Sequence, residues 1–291
     1  MSKALKTIGT VAAGVALVAT GIGAVGGLGF IAAGTATTIG TIAGIAATVA
    51  NIGAQITAPK PRARGSLTSV IALAEPGRPC MWGRTYYAGI IRHLVGYGAE
   101  LDDVPNPYLW EVKVFSGVGP VNALVQEQFD FEPIGSYFSG FYASDTQLGA
   151  RPEANALVPP LNSPATGWNS ASKLSGCPAI GGNYLFDKDG EVFASGRPLH
   201  GAIWEGVLVY DPRLDSTRPG GSGSCRLGDE STYVYSIRPA LAAGTYAYGY
   251  YENGTRFYGI GVPDEGIDWD AIAAWANDCD TNDWKISGVT F

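Results

Sequence analysis

Four cysteines, two histidines and a short acidic run are the residues whose types could do chemistry. Cys80, Cys177, Cys225 and Cys279 lie at least 48 residues apart. Zinc and iron–sulfur sites draw on closely spaced CxxC pairs, and no such pair is present. An even number leaves disulfides open, but buried free thiols are the expected state. His93 and His200 are the only imidazoles. A triad or a histidine metal site needs convergent partners that no local motif supplies, so each is expected as a surface or hydrogen-bonded core residue. Gly221-Ser222-Gly223 sits in a Pro-Gly-Gly loop and lacks the spacing of a nucleophile elbow. Asp187-Lys188-Asp189-Gly190-Glu191 has half the ligand ladder of a calcium loop. Its strand-like flanks favour a β-hairpin around an Asp-Gly turn. The 26 acids, Asp102-Asp103 among them, offer many carboxylate pairs, with no local reason to choose one for glycoside hydrolysis. Aromatic runs at 135–142 and 246–251 could stack on sugars or bases, yet such runs more often fill cores or subunit interfaces. No catalytic, cofactor or metal residue is assigned, and the chain is expected not to be an enzyme.

The elements that would carry these residues are mostly strands. From Leu67 onward, short β-prone runs alternate with Gly and Pro. Trp110 to Phe115 alternates as a half-buried strand should, and Gly206 to Tyr210 is a strand stopped by Asp211-Pro212. Residues 145–183 read as a long surface excursion. A helix is expected from about Arg238 to Glu252, with Pro239 in its first turn and Asn253-Gly254 as its stop. A second helix starts at Asp268, its N-cap, with Asp270 in the first turn and Ile267 and Ile272 at staple positions. Ile272, Trp275, Ala276 and Cys279 would share its apolar face. The fold class is therefore α+β, predominantly β.

Ahead of this body stands a different kind of sequence. Residues 7–59 hold no Asp, Glu, Lys or Arg, whereas residues 61–291 hold 16 bases and 26 acids, a net charge of −10. An acidic body repels phosphate backbones, so sequence-specific nucleic-acid binding is not expected. Residues 8–30 are long enough to span a bilayer as a helix, and 37–56 form a second candidate. Both are far longer than the apolar core of a signal peptide. Their content is Gly, Ala and Thr, and Gly23 with Gly27, and Gly40 with Gly44, have the small-xxx-small spacing of close helix packing. A membrane hairpin, a buried helical pair and a segment packed among several copies all remain open. The expected organisation is a leader at 1–58, a basic Pro-rich linker at 59–66, a β-rich domain at 67–235, and at 236–291 a helical segment with the start of a following domain.

Several motifs of the body, in order, resemble one family. Tyr210-Asp211-Pro212-Arg213, within Val209 to Thr217, is similar to the "VYDPR" strand and turn of phage tail tip attachment proteins. These are the host-specificity or central tail hub proteins of long-tailed phages and gene transfer agents. Tyr235 to Leu241 resembles the family's "NPAL" helix start, with Ile237-Arg238 departing from the usual Asn. Tyr258 to Pro263, carrying Gly259, Gly261 and Pro263, then Ile267 to Asp270 with Asp268, and Ala276 to Asp280 resemble its "GLGIP…IDLD…AANYCD" block. Trp82 to Gly89 is similar to its "YGRTRVGG" strand, so the likeness covers roughly residues 75–291.

What the resemblance implies is a homotrimeric hub closing the distal tail tube, with no cofactor and no enzymatic activity. It implies contacts with the tape measure protein and other tail-tip proteins, and a possible meeting of the leader with the host membrane at genome ejection. The expected location is the virion, at the tail tip. Members of the family usually continue with further domains, and Trp284 to Val289 resembles the strand that opens the next one. The expectation is a shortened or partial hub, or one whose receptor-binding parts sit on another polypeptide. A membrane-anchored bacterial envelope protein with an exported β-rich domain is the competing reading.

Overall fold

The computed structural model describes residues 77–291, which belong to the second of two compact units, Ser69–Phe291. The leader with Gly23, Gly27, Gly40 and Gly44, and the linker at 59–66, lie outside the described residues. The described chain is α+β and predominantly β. Among these residues no helix is long and apolar enough to cross a membrane.

Two antiparallel sheets make up most of it. The first runs β12 (Ser287–Thr290), β1 (Cys80–Tyr87), β8 (His200–Val209), β4 (Val121–Phe129) and β5 (Glu132–Pro133), with β9 (Val234–Tyr235) also paired to β8. The second runs β2 (Ile90–Tyr97), β3 (Tyr108–Val114), β7 (Ala179–Leu185) and β6 (Tyr142–Gln147). A hairpin of β10 (Tyr250–Glu252) and β11 (Thr255–Tyr258) stands apart, and helices α1 (Pro239–Tyr248) and α2 (Trp269–Thr281) pack on each other and on the first sheet. Met81, Trp82, Trp204, Tyr210, Leu241, Trp269 and Cys279 are buried in one core shared by that sheet and both helices. Residues 236–291 thus share a core with the strands before them, and Ser287–Thr290 pairs with Cys80–Gly83 at the sheet edge.

The expected half-buried strand at 110–115 is instead buried on both faces. Residues 148–178 explain why. They connect β6 to β7 and lie over the outer face of the second sheet, where Leu157, Ala165 and Trp168 cover Trp110, Val112 and Val114. Polar hooks hold this cover down. Asn183, fully buried, accepts hydrogen bonds from the Leu161 and Asn162 amides at 2.9 and 3.3 Å and donates to the Leu109 carbonyl at 3.2 Å. Gln147 donates to the carbonyls of Lys173, Leu174 and Cys177 at 3.0–3.1 Å. The excursion is therefore a lid on a core, shorter than expected because 145–147 and 179–183 are strand.

Three local expectations change. The run 184–193 does not form a hairpin: β7 ends at Leu185, and the Asp187 carboxylate caps the Val192 and Phe193 amides at 2.6 and 2.8 Å. With its side chain aimed at its own turn, Asp187 replaces a ladder by an Asx-type loop. The first helix stops at Gly249, with φ +103°, rather than at Asn253-Gly254. Asn253 and Gly254 have φ +51° and +76°, the left-handed pair that a tight hairpin needs, and they join β10 to β11. In α2 the Asp268 carboxylate accepts from the Ala271 amide at 2.9 Å, as the cap reading requires. Its buried face is Trp269, Ala276 and Cys279 with Ile272 alongside, whereas Trp275 is 40% exposed. All four cysteines are free thiols, three of them buried.

Candidate functional site

The motif residues at 210–213, 259–263 and 268 form one polar and aromatic clamp on α2. Strand β8 ends at Val209, beyond which the Tyr210 amide donates to Thr245 Oγ1 and Pro212 has no amide to offer a ladder. Asp211 accepts from the Arg213 amide at 3.0 Å and opens a 3₁₀ turn at Pro212–Leu214. The Arg213 guanidinium then forks onto the same carboxylate, Nε to Oδ1 at 2.9 Å and Nη2 to Oδ2 at 2.7 Å. Its Nη1 reaches Asn277 Oδ1 at 3.0 Å and Asp280 Oδ2 at 2.6 Å, at the end of α2. Arg238, beside the start of α1, takes the other Asp280 oxygen at 2.6 Å. Bonding to Asp211 and Asp280 pushes Arg213 further into its charged form, and the Arg213 and Arg238 guanidiniums hold Asp280 below the usual carboxylate range.

Tyr210 secures the other end. It is fully buried, its amide donates to Thr245 Oγ1 at 3.0 Å, and its ring meets the Trp269 ring edge-on at 4.9 Å. Its hydroxyl donates to Asp215 Oδ2 at 2.8 Å and accepts from Arg218 Nε at 3.2 Å. Burial, then the Asp215 carboxylate, raises the phenol well above its ordinary value. Arg218 continues to Asp264 Oδ1 at 2.6 Å, which also accepts from the Trp269 indole at 2.8 Å. The segment 259–263 closes the unit. The amides of Ile260, Gly261 and Val262 donate to the Tyr246 and Ala247 carbonyls at 2.8–3.0 Å, so they satisfy the end of α1. Gly259 has φ +87°, and a Cβ there would stand 2.6 Å from Gly249 Cα and from the Tyr246 carbonyl. Gly261 has φ +85°, and Pro263 leads into the 3₁₀ turn Asp264–Gly266 that precedes Asp268. Tyr210, Asp211, Pro212, Arg213, Gly259, Gly261, Pro263 and Asp268 therefore belong to one packed region, with Asp268 at the start of α2 and Arg213 at its end. The four leader glycines lie outside the described residues.

A second polar cluster was invisible to sequence reasoning. Between the two sheets, Glu111 is 1% exposed and pairs with Arg197 at 2.5 Å and Lys113 at 3.2 Å. Lys113 also donates to the His200 carbonyl at 2.7 Å. Burial drives the Lys113 amine below its ordinary pKa, and Glu111 opposes that shift. Next to it, Glu127 binds His200 Nε2 at 3.1 Å, Tyr142 Oη at 2.6 Å and Ser144 Oγ at 2.5 Å. Burial alone would raise the Glu127 carboxyl, but the hydrogen bonds from His200, Ser144 and Tyr142 outweigh it and leave it below the usual range. Through these three side chains Glu127 ties β4 to β8 and β6. The bonded pairs lie up to 87 residues apart, so no local spacing could announce them. Alternation at Glu111 and Lys113 even pointed the wrong way, toward solvent.

Among the described residues no group of three His, Cys, Asp or Glu side chains is arranged to hold a metal ion. Comparison with family models finds no match, and neither does comparison with curated proteins.

Proposed function

We propose that this chain is a structural protein of a phage virion, a trimeric central hub at the tail tip that closes the distal tube and takes part in host attachment and genome delivery. The observation that carries the reading is the clamp. Several residues of the resemblance have a geometric task there: Asp211 and Asp268 cap, Arg213 forks, Tyr210 anchors on Thr245 and Trp269, and Gly259 fits where a Cβ would collide. Motifs of that kind are expected of a shared fold rather than of a shared reaction. The acidic body suits a conduit for DNA, because a negative wall does not hold passing phosphates. Exposed Phe131, Tyr137, Phe186, Ile260 and Trp284 supply apolar area for contacts with neighbouring copies, the tape measure protein and other tip proteins. The leader, with Gly23, Gly27, Gly40 and Gly44, would gain from threefold packing the close partners that one copy lacks.

Light scattering on the purified full chain tests the assembly. The expected mass is that of three 30.3 kDa chains. A stable monomer at micromolar concentration, in detergent and without it, would count against the hub.

A further inference from the structure

Three arginines meet in one cleft. Arg78 precedes β1, Arg92 sits at the irregularity in the β2–β3 register, and Arg151 belongs to the 148–178 cover. A bulge re-aims the side chain it carries, which here turns Arg92 to the cleft wall. Glu252 is the one acid in the described lining, and it lies 3.8 Å from Arg151, with most of its carboxylate in solvent. Arg151 lays its guanidinium on the Phe257 ring at 3.9 Å, and its Nε–H is buried with no acceptor. Arg78 spends one N–H on the Phe257 carbonyl at 3.4 Å. Arg92 makes no ion pair among the described residues. Glu252 and, through space, Glu230 face Arg151, whereas Arg78 and Arg92 have no acidic partner among the described residues of a body that is otherwise strongly acidic. Like charges are not gathered this way for stability.

We propose that this cleft binds a phosphoryl dianion, the terminal group of inorganic phosphate or of a phosphomonoester. The match is in charge and in shape. A dianion neutralises the two uncompensated charges, and three terminal oxygens offer an acceptor to each of three guanidinium forks. A carboxylate carries half the charge and one fewer oxygen. Cys177 lies in the same lining, and although burial raises its thiol pKa, Arg78, Arg151 and Arg92 each pull it down. Their fields converge on one point. The proposal is independent of the hub reading.

Phosphorus NMR titration of the full chain with inorganic phosphate, and separately with glycerol 3-phosphate, provides the test. Saturable binding is expected, weakened at least tenfold by Arg92→Ala and by Arg151→Lys, which keeps the charge but loses the fork. Lys188→Ala, which removes an exposed charge elsewhere, should leave it unchanged. Preference for glycerol 3-phosphate over the free ion would identify an esterified ligand, and the reverse a free one. No saturable binding of either at millimolar concentration overturns the proposal, as does an equal loss in Lys188→Ala. Thermal unfolding of each variant without phosphate separates a lost ligand from a lost fold, since Arg92 is exposed and its removal should not move the midpoint.

Discussion

Arg213 holds two elements with one side chain. Its fork neutralises the Asp211 carboxylate, which is nearly buried, and its remaining N–H groups bind the end of α2. Removing one partner of a buried pair leaves an uncompensated charge, which costs about 3–5 kcal/mol when burial is complete. Arg213 is partly exposed, so Arg213→Ala should lower unfolding stability by about 2–3 kcal/mol. Arg213→Lys should recover part of that, because it restores charge without the fork. Urea titration of both variants checks the order, and equal stability of Arg213→Ala and the parent would remove the clamp from the account. Glu127 makes a prediction in pH. Its carboxyl is held below its ordinary value by donors from His200, Ser144 and Tyr142. The folded form therefore binds its proton less readily than the unfolded form. The stabilisation is complete above the unfolded value near about 4.3 and is lost as pH falls through the depressed one. Urea midpoints measured downward from neutral pH should fall in that window less steeply for Glu127→Gln than for the parent. Parallel curves would mean that this carboxylate does not couple to folding.

At the scale of elements, the 148–178 cover is what makes β3 an interior strand. Trp168 packs edge-on toward Trp110 with ring centres 6.3 Å apart and donates its indole N–H to the Leu157 carbonyl at 2.7 Å. Replacing a packed aromatic by Ala typically costs about 3–5 kcal/mol. Trp168→Ala should approach the lower end, raise dye binding at the uncovered sheet face and bring proteolysis into 148–178 before global unfolding. Cleavage spread evenly over the chain would argue that the cover is not a separate element. This level also separates what sequence could and could not convey. The start of α2 was legible because a cap is local: Asp268, Asp270 and Ile272 lie within five residues. Asn253-Gly254 is ambiguous in sequence because the same pair can end a helix or turn a hairpin, and pairing of Tyr250 with Tyr258 decides between them. The both-sided burial of β3 was illegible, since the inner partners of Glu111 and Lys113 lie 86 and 87 residues away at Arg197 and His200. The candidate clamp was half legible. Its residues stood out as ordered motifs, but the contact of Arg213 with Asn277 and Asp280 crosses more than 60 positions.

For the whole molecule, the proposal rests on an acidic, β-rich body whose motif residues are structural anchors and on an uncharged leader of small residues. A hub acts through interface area and symmetry, so no single side chain carries the function, and the neighbouring tail proteins become the partners to look for. The clamp would keep the helical part of each copy rigid while the exposed aromatic and aliphatic side chains meet other subunits. A cryo-EM map of tail particles, with this chain traced in the density, tests the central claim most directly. The account predicts three copies around the distal end of the tube, with Arg213 bound to Asp211 and Asp280 in each. Particles whose tips lack the chain, together with its recovery in membranes of uninfected cells, would contradict it.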